Sequence, residues 1–135
     1  MNVFYYSEND MYCQCINVVF YNFKKLINIA IIKSFMALAY ITCKDKKEAE
    51  KIAIYLLKKR LIACANILPI KSLYWWKGKI VNDRENVIIA KTNAKNFKKV
   101  VDEVKNIHSY EIPCILKIDA IANKEYQDWA DKELR

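Results

Sequence analysis

Glycine and histidine are scarce in this sequence, and their scarcity removes several kinds of active site. Gly78 is the only glycine and His108 the only histidine among 135 residues. A phosphate-binding loop needs several glycines so that its backbone can approach the phosphates, which excludes a glycine-rich nucleotide site. One imidazole does not build a histidine metal cage, and no other nucleophile is paired with a base. We therefore expect that the protein is not an enzyme.

The first 35 residues contain no hydrophobic run of membrane-spanning length. Their longest mainly apolar run, residues 26–32, is far shorter than the roughly 20 residues that cross a bilayer. We expect no membrane partner. A regular pattern starts only at Met36, so residues 1–35 are predicted to be an N-terminal extension outside the core, and residues 36–135 to form one domain. A misassigned start at Met36, a disordered or loosely helical extension and a membrane or targeting segment remain alternatives.

The cysteines and the positive charge point to no special partner. Of five cysteines, Cys43, Cys64 and Cys114 lie in apolar strand-like runs, which is typical of buried reduced thiols in the cytoplasm. The pair Cys13 and Cys15 is a weak metal motif, since no second pair completes a four-ligand site. The net charge is +8, but the lysines are spread over helices and turns. Dispersed lysines usually form solvated faces, so we expect no nucleic-acid partner.

Hydrophobic periodicity predicts four strands and three helices. Asp45, with Glu48 three residues later, is a good N-cap for the first helix, and Asn93 is a good N-cap for the second. The order strand, helix, strand, strand, helix, strand predicts an α+β fold, a ferredoxin-like antiparallel sheet with helices on one face and a short C-terminal helix. The predicted buried residues are Ala49, Ile52, Ala53, Leu56 and Leu57 in the first helix, Phe97, Val100, Val101, Val104 and Ile107 in the second, and Tyr126, Trp129 and Leu134 in the last.

The second strand, residues 61–80, is the longest element and is apolar on both sides. Pro69 predicts a kink, a bulge or an edge position there, and Gly78 a bulge or close backbone packing. A turn is predicted at residues 82–84. One row contains Leu73, Trp75 and Val81, and the other contains Tyr74, Trp76 and Ile80. Because one domain's helices cover only one sheet face, the other is predicted to bind a second copy of the protein.

Two polar residues are candidates for binding. His108 follows the second helix, where it either caps that helix or serves as a surface ligand for copper or zinc. Lys91 lies at the end of a buried strand and needs a partner, for which Glu111 is the nearest candidate.

Four motifs, taken together from about residue 38 to the end of the chain, resemble the CutA family of divalent-cation tolerance proteins. They are residues 61–67 with Pro69, residues 72–80, residues 91–92 and residues 108–113, followed by Tyr126 and Trp129.

The resemblance implies a homotrimer of ferredoxin-like subunits that acts, without catalysis, in metal homeostasis and in the response to metal ions. No cofactor is required, although copper or another divalent cation is implied as a ligand. In family members with a copper site, the ligands are a cysteine before the threonine of the first strand and two consecutive histidines in the last loop. Here Ile41 and Ile107 occupy two of these positions, which leaves His108 as the metal candidate.

A trimeric regulator similar to the PII proteins is the alternative function. It would bind an anion in a cleft between subunits, lined by Lys91, Tyr110 and Glu111.

Overall fold

The computed structural model of the protein describes residues 35–135. The predictions for the N-terminal extension, including those for Cys13 and Cys15, lie outside the described residues. The first strand begins at Phe35, one residue before the predicted domain boundary.

The described residues form four strands and three helices in the predicted order. The sheet is antiparallel with strand order β2-β3-β1-β4, which confirms the ferredoxin-like α+β fold. No helix among these residues is long and apolar enough to cross a membrane. The elements are β1 (Phe35–Cys43), α1 (Lys46–Lys58), β2 (Cys64–Trp76), β3 (Lys79–Asn93), α2 (Ala94–Ile107), β4 (Ile115–Ile121) and α3 (Lys124–Glu133).

Both predicted N-caps hold the first turns of their helices. The side chain of Asp45 accepts a hydrogen bond from the Glu48 N–H at 2.8 Å, and that of Asn93 accepts one from the Asn96 N–H at 2.8 Å. These bonds satisfy helix N–H groups that have no partner within the helix. The Glu48 carboxylate reaches back to the N–H of Lys44, at 3.0 Å, so the capping box is displaced by one residue.

The hydrophobic core lies between the two long helices and one face of the sheet, here called the covered face. Ile41 of β1 and Ile88 of β3 are completely buried there, against Ile52 of α1 and Val104 of α2. Leu57 was predicted to be buried, but its side chain is 38% exposed because it lies on the solvent side of α1.

The last helix buries other residues than those predicted. Gln127 and Ala130 are buried, whereas Tyr126 and Leu134 are only partly buried and Trp129 is 41% exposed. Gln127 and Ala130 lie three residues apart and therefore share one face of α3. The larger side chains of Tyr126, Trp129 and Leu134 lie at the edge of this buried face.

The turn between β2 and β3 lies at Lys77 and Gly78, which corrects the prediction of a turn at residues 82–84. Trp76 pairs with Lys79, and the two residues between them have positive φ angles of 48° and 77°. Two successive positive φ angles are typical of a type I′ hairpin, in which glycine is favoured. A Cβ atom on Gly78 would contact nothing within 4 Å, so the glycine serves backbone conformation and not close packing.

This turn also changes which side chains share a face of the hairpin. Trp75 pairs with Ile80 and Tyr74 with Val81, so the predicted grouping of Ile80 with Tyr74 and of Val81 with Trp75 was wrong. Pro69 pairs with Asn86 in an unbroken register. Of the three predicted alternatives for Pro69, the edge position applies, because β2 is an edge strand.

Opposite the helices lies the open face of the sheet. Leu68 of β2, Leu116 of β4 and Ile118 of β4 are 47%, 52% and 46% exposed there. These residues lie on both edge strands of the sheet, and exposed apolar residues on one face of a sheet are typical of a surface that binds another protein.

Candidate functional site

The connection between α2 and β4 contains three of the four candidate residues, His108, Tyr110 and Glu111. His108 is the C-cap of α2, and its N–H donates to the carbonyl of Val104 at 2.9 Å. Its ring turns away from the helix toward the end of β1, where Nε2 lies 2.8 Å from the carbonyl oxygen of Thr42. The capping interpretation therefore holds for the backbone of His108, while its ring fastens the loop to β1.

Both ring nitrogens of His108 are engaged in hydrogen bonds to the backbone. Nδ1 accepts from the N–H of Tyr110 at 3.0 Å, so this nitrogen carries no proton. A carbonyl oxygen only accepts, and Nε2 must therefore carry the proton that is donated to Thr42. The neutral Nε2–H tautomer fits the site, and it leaves no free lone pair on the ring.

Glu48 fastens the same loop to the start of α1. Its two carboxylate oxygens accept from the N–H of Lys44 at 3.0 Å and from the N–H of Ser109 at 2.8 Å. Burial by itself would raise the pKa of Glu48, but the hydrogen bonds from these backbone N–H groups and from the Ser109 side chain outweigh it and lower the pKa. The carboxylate therefore stays charged and acts as a fixed acceptor for the loop.

Cys43 completes a group of three potential metal donors. Ligand atoms of Cys43, Glu48 and His108 all lie within 4.8 Å of one another. Burial and the neighbouring carboxylates of Glu48, Glu85 and Asp45 raise the pKa of the Cys43 thiol to about 12, so it holds its proton at neutral pH. Coordination by this cysteine and this histidine requires a thiolate sulfur and a free imidazole lone pair, neither of which is present, and each Glu48 oxygen already accepts one N–H. The donor set as arranged does not fit a tightly held resident metal.

The other two positions that the resemblance assigns to copper ligands belong to the core. Ile41 is completely buried on the covered face, and Ile107 packs partly buried against the same cluster. Aliphatic side chains at these positions contribute to packing, so only His108 offers a donor.

A cavity of about 890 Å³ lies on the open face beside the loop. Tyr110 and Glu111, two of the three residues predicted to bind a ligand, line it. The phenol of Tyr110 donates to the carboxylate of Glu85 at 2.8 Å. Burial, together with this bond to a negative charge, raises the pKa of Tyr110, which keeps the phenol protonated. Three further aromatic residues line the cavity, namely Tyr40, Tyr74 and Trp76.

Lys91, the third predicted ligand-binding residue, is not among the residues that line this cavity. Its ammonium donates to the amide oxygen of Asn66 and to Sγ of Cys64, the latter at 3.2 Å. The expected contact with Glu111 is therefore absent among residues 35–135. One chain does not bring Lys91 to Tyr110, and the predicted cleft between subunits remains a prediction.

Local sequence patterns indicated neither the position of Glu85 in a strand nor the contact of Glu48 with the loop after α2. Glu85 follows Asn82, Asp83 and Arg84, and the prediction of a turn at those three residues hid its position inside a strand. A charged residue next to a run of β-branched residues, as here before Val87, is the feature by which Glu85 could have been found.

Comparison with known proteins gives one consistent family. The model of the CutA1 divalent ion tolerance protein family matches residues 37–133. The divalent-cation tolerance protein CutA of Archaeoglobus fulgidus is 50% identical over 94 residues, which cover 69% of this chain and 92% of the relative. The human protein CutA is 37% identical over 93 residues, covering 67% of this chain and 52% of the relative.

Solved structures agree with these relatives. The structure described as the periplasmic divalent cation tolerance protein CutA from Archaeoglobus fulgidus has a TM-score of 0.73 at 46% identity and covers 74% of this chain and 99% of its own. The structure of CutA1 from Oryza sativa has a TM-score of 0.73 at 29% identity, with coverages of 76% and 97%. The chain belongs to the CutA1 divalent ion tolerance protein family.

Proposed function

We propose that the protein is a non-enzymatic homotrimer of metal homeostasis that binds divalent cations weakly and exchanges them readily. The observation that carries this proposal is membership of the divalent ion tolerance family over residues 37–133. The geometry supports weak binding, since the donor atoms near His108 are occupied by hydrogen bonds within the protein.

The open face supports assembly with further copies of the chain. On this face, Leu68 of one edge strand and Leu116 and Ile118 of the other edge strand are about half exposed. An obligate interface buries roughly 2,000 Å² or more and is more apolar than an ordinary surface. Burying the open face between copies would remove this apolar area from water.

Weak copper binding at His108 follows from the competition for its ring nitrogens. A copper ion that coordinates Nδ1 displaces the N–H of Tyr110, and one that coordinates Nε2 displaces both a proton and the carbonyl of Thr42. Each displaced bond is worth roughly 0.5–1.5 kcal/mol. The metal affinity is lowered by that amount, and the protonated Cys43 thiol offers no thiolate in compensation.

Calorimetric titration with Cu(II) tests this site. We expect binding weaker than micromolar in the full chain, and its loss in His108→Ala. Tyr110→Phe is the matched control, because it keeps the imidazole and the Tyr110 N–H while it changes the same loop. Sub-micromolar binding that survives His108→Ala would show that the metal binds elsewhere.

For the cellular location, we propose a reducing compartment such as the cytoplasm. Cys43 is buried, Cys64 is partly buried, and these residues and Cys114 form no disulfide with one another. One relative from Archaeoglobus fulgidus is described as periplasmic, so the location needs its own test. Fractionation of cells followed by alkylation of free thiols should find the protein reduced and in the cytoplasmic fraction.

A further inference from the structure

Unpaired lysines are concentrated on the outer side of α1 and α2, away from the sheet. Of the lysines in these two helices, only Lys46 forms an ion pair within residues 35–135. The other seven are all exposed, because the buried side of each helix packs on the sheet. They are Lys47, Lys51 and Lys58 of α1 and Lys95, Lys98, Lys99 and Lys105 of α2. These seven residues are here called the basic face.

The basic face forms because α1 and α2 lie side by side. The phenol of Tyr55 in α1 donates to the carboxylate of Glu103 in α2 at 2.6 Å, although the two residues are 48 positions apart in the chain. The ammonium of Lys59, which follows α1, pairs with the same carboxylate at 2.7 Å. Lysines that are dispersed along the sequence are therefore gathered on one surface by the fold. Their dispersal was the reason to expect no nucleic-acid partner, and this reason no longer applies.

Few carboxylates oppose the charge of the basic face. The two helices contain four acidic residues, and three of them have partners within the protein. Glu48 accepts from backbone N–H groups, while Glu50 and Glu103 each pair with a lysine. Only Asp102 has neither an ion pair nor a hydrogen bond from its side chain within residues 35–135, and it is exposed. Seven ammonium groups beside one such carboxylate produce a positive potential that attracts anions.

The basic face stays exposed in the proposed trimer. The copies of the chain are expected to meet through the open face of the sheet. The helices lie on the other side, over the covered face. Assembly through the open face therefore leaves the seven lysines in contact with solvent.

The dimensions of the basic face match a polyanion with closely spaced charges. Helices of 13 and 14 residues are about 20 Å long. Duplex DNA carries one phosphate charge per roughly 1.7 Å of its axis, so about 12 phosphates occupy the same length, and about half of them would face the protein. Seven lysines are enough to contact that number of phosphates.

The types of residue on this surface favour the DNA backbone over a membrane and over the bases. A helix that lies in a membrane interface buries a broad apolar side. Here α1 exposes only Ile54 and Leu57 as large apolar side chains, and within residues 35–135 α2 exposes none. The basic face contains no arginine, the side chain that most often reads guanine through paired hydrogen bonds. Lysine ammonium groups are point charges that bind phosphates without selecting a base.

We propose that the basic face binds the phosphate backbone of duplex DNA without selecting a sequence. The proposal goes beyond metal tolerance, and it depends neither on metal binding at His108 nor on the cavity of the open face.

Fluorescence anisotropy with a labelled duplex of about 20 base pairs tests the proposal on the assembled full chain. Each phosphate contact contributes about −0.9 to the slope of log K against log salt concentration, so we expect a slope of about −3 or steeper. At physiological salt the Kd should be roughly 1–100 μM, as is typical of non-specific binding. A second duplex of unrelated sequence should bind equally well. No binding, a slope close to zero or a strong preference for one duplex would overturn the proposal.

Matched variants locate the binding surface. The double variant Lys98→Gln, Lys99→Gln keeps the helix propensity of α2 and removes two positive charges from the basic face. It should weaken DNA binding at low salt about tenfold and reduce the salt slope by about 2. Arginine at the same two positions should preserve binding, because it restores the charges. The control Lys77→Gln, Lys79→Gln removes equal charge at the β2–β3 turn and should leave the affinity unchanged.

Two further results would contradict the proposal. An equal loss of DNA affinity in the control variant would show that net charge, and not the basic face, determines binding. Tighter binding to phosphatidylserine vesicles than to DNA, at equal phosphate concentration, would assign the surface to a membrane. Circular dichroism and sedimentation of each variant show that it is folded and assembled. If DNA binding fails while Cu(II) still binds at His108, the DNA proposal alone is wrong and the proposed metal function stands.

Discussion

The two faces of the sheet carry similar aliphatic side chains but differ in their exposure to solvent. On the covered face, Ile41 and Ile88 are completely excluded from solvent by α1 and α2. On the open face, Leu116 and Ile118 are about half exposed although they come from the same sheet. Within one chain, aliphatic side chains are therefore buried or exposed according to the face of the sheet on which they lie. The helices of the chain therefore cover one face of the sheet and leave the other face exposed to solvent.

The largest expected effect comes from the covered face. Ile41→Ala should lower the free energy of unfolding by about 2–5 kcal/mol, because it leaves a cavity in a close-packed core. Ile54 lies on the solvent side of α1 and is 52% exposed, so Ile54→Ala should change stability by less than about 0.5 kcal/mol. Urea denaturation of both variants, at one protein concentration, measures the contrast. Equal losses would mean that the covered face is not the main core.

The next effect concerns assembly through the open face. Ile118→Asp should shift the protein from trimer to monomer in sedimentation experiments, since a charge in an apolar interface loses its hydration. Ile54→Asp makes the same change at a similarly exposed position on the helix side and should leave the trimer intact. Circular dichroism should show helices in both variants. A trimer that persists in Ile118→Asp would place the interface on other residues.

A smaller effect is expected at the loop that joins the two faces. The folded state lowers the pKa of Glu48 from its ordinary value of 4.5, so its stabilising contribution is present above that pH. The contribution is lost as the pH falls through the folded-state pKa. Glu48→Gln should be less stable than the original protein by about 1–3 kcal/mol at pH 7.

Denaturant titrations at pH 7 and pH 3.5 test the sign of this effect. The stability difference between the two proteins should shrink at the lower pH, because the unfolded chain takes up the proton below the ordinary pKa of 4.5 while the folded state favours the charged form. A difference that stays constant between the two pH values would indicate that Glu48 contributes by packing and not by charge.

The smallest effect is expected at the hairpin tip. Gly78→Ala should cost about 1 kcal/mol, because alanine is strained at φ 77° even though open space surrounds the site. Lys77→Gly at φ 48° relieves a similar strain but increases the freedom of the unfolded chain, so its net effect should be close to zero. Melting temperatures of both variants give the comparison, and a cost in Lys77→Gly equal to that in Gly78→Ala would contradict it.

Local features of the fold could be predicted from the sequence because they depend on nearby residues. The caps at Asp45 and Asn93 involve partners three positions away. The periodicity of a helix likewise relates residues that are only three or four positions apart. The turn was missed because Asn82 and Asp83 have better turn chemistry than Lys77. Its true place depends on the two positive φ angles that β2 and β3 require when they pair.

The candidate site was less predictable, because it depends on contacts distant in sequence. Tyr110 and Glu85 are 25 positions apart in the chain, and they come into contact only when the sheet holds β3 beside the loop. Lys91 bonds to Asn66, again 25 positions away, which no local pattern indicates. The sequence predicted Tyr110 and Glu111 as binding residues under the alternative of a PII-like regulator, whereas the position of the Glu85 carboxylate depends on the register of β3.

The hydrogen bonds of His108 connect two sites that were described separately. The imidazole accepts from the Tyr110 backbone, and the Tyr110 phenol donates to Glu85 in the cavity. A cation on Nδ1 removes the acceptor of that backbone N–H and so alters the position from which the phenol approaches Glu85. Thermodynamic linkage makes such an influence mutual: whatever occupies the cavity changes the cation affinity of the imidazole by the same factor. A metal on the imidazole and a ligand in the cavity would be coupled in this way, so the affinity for each should be measured at a constant concentration of the other.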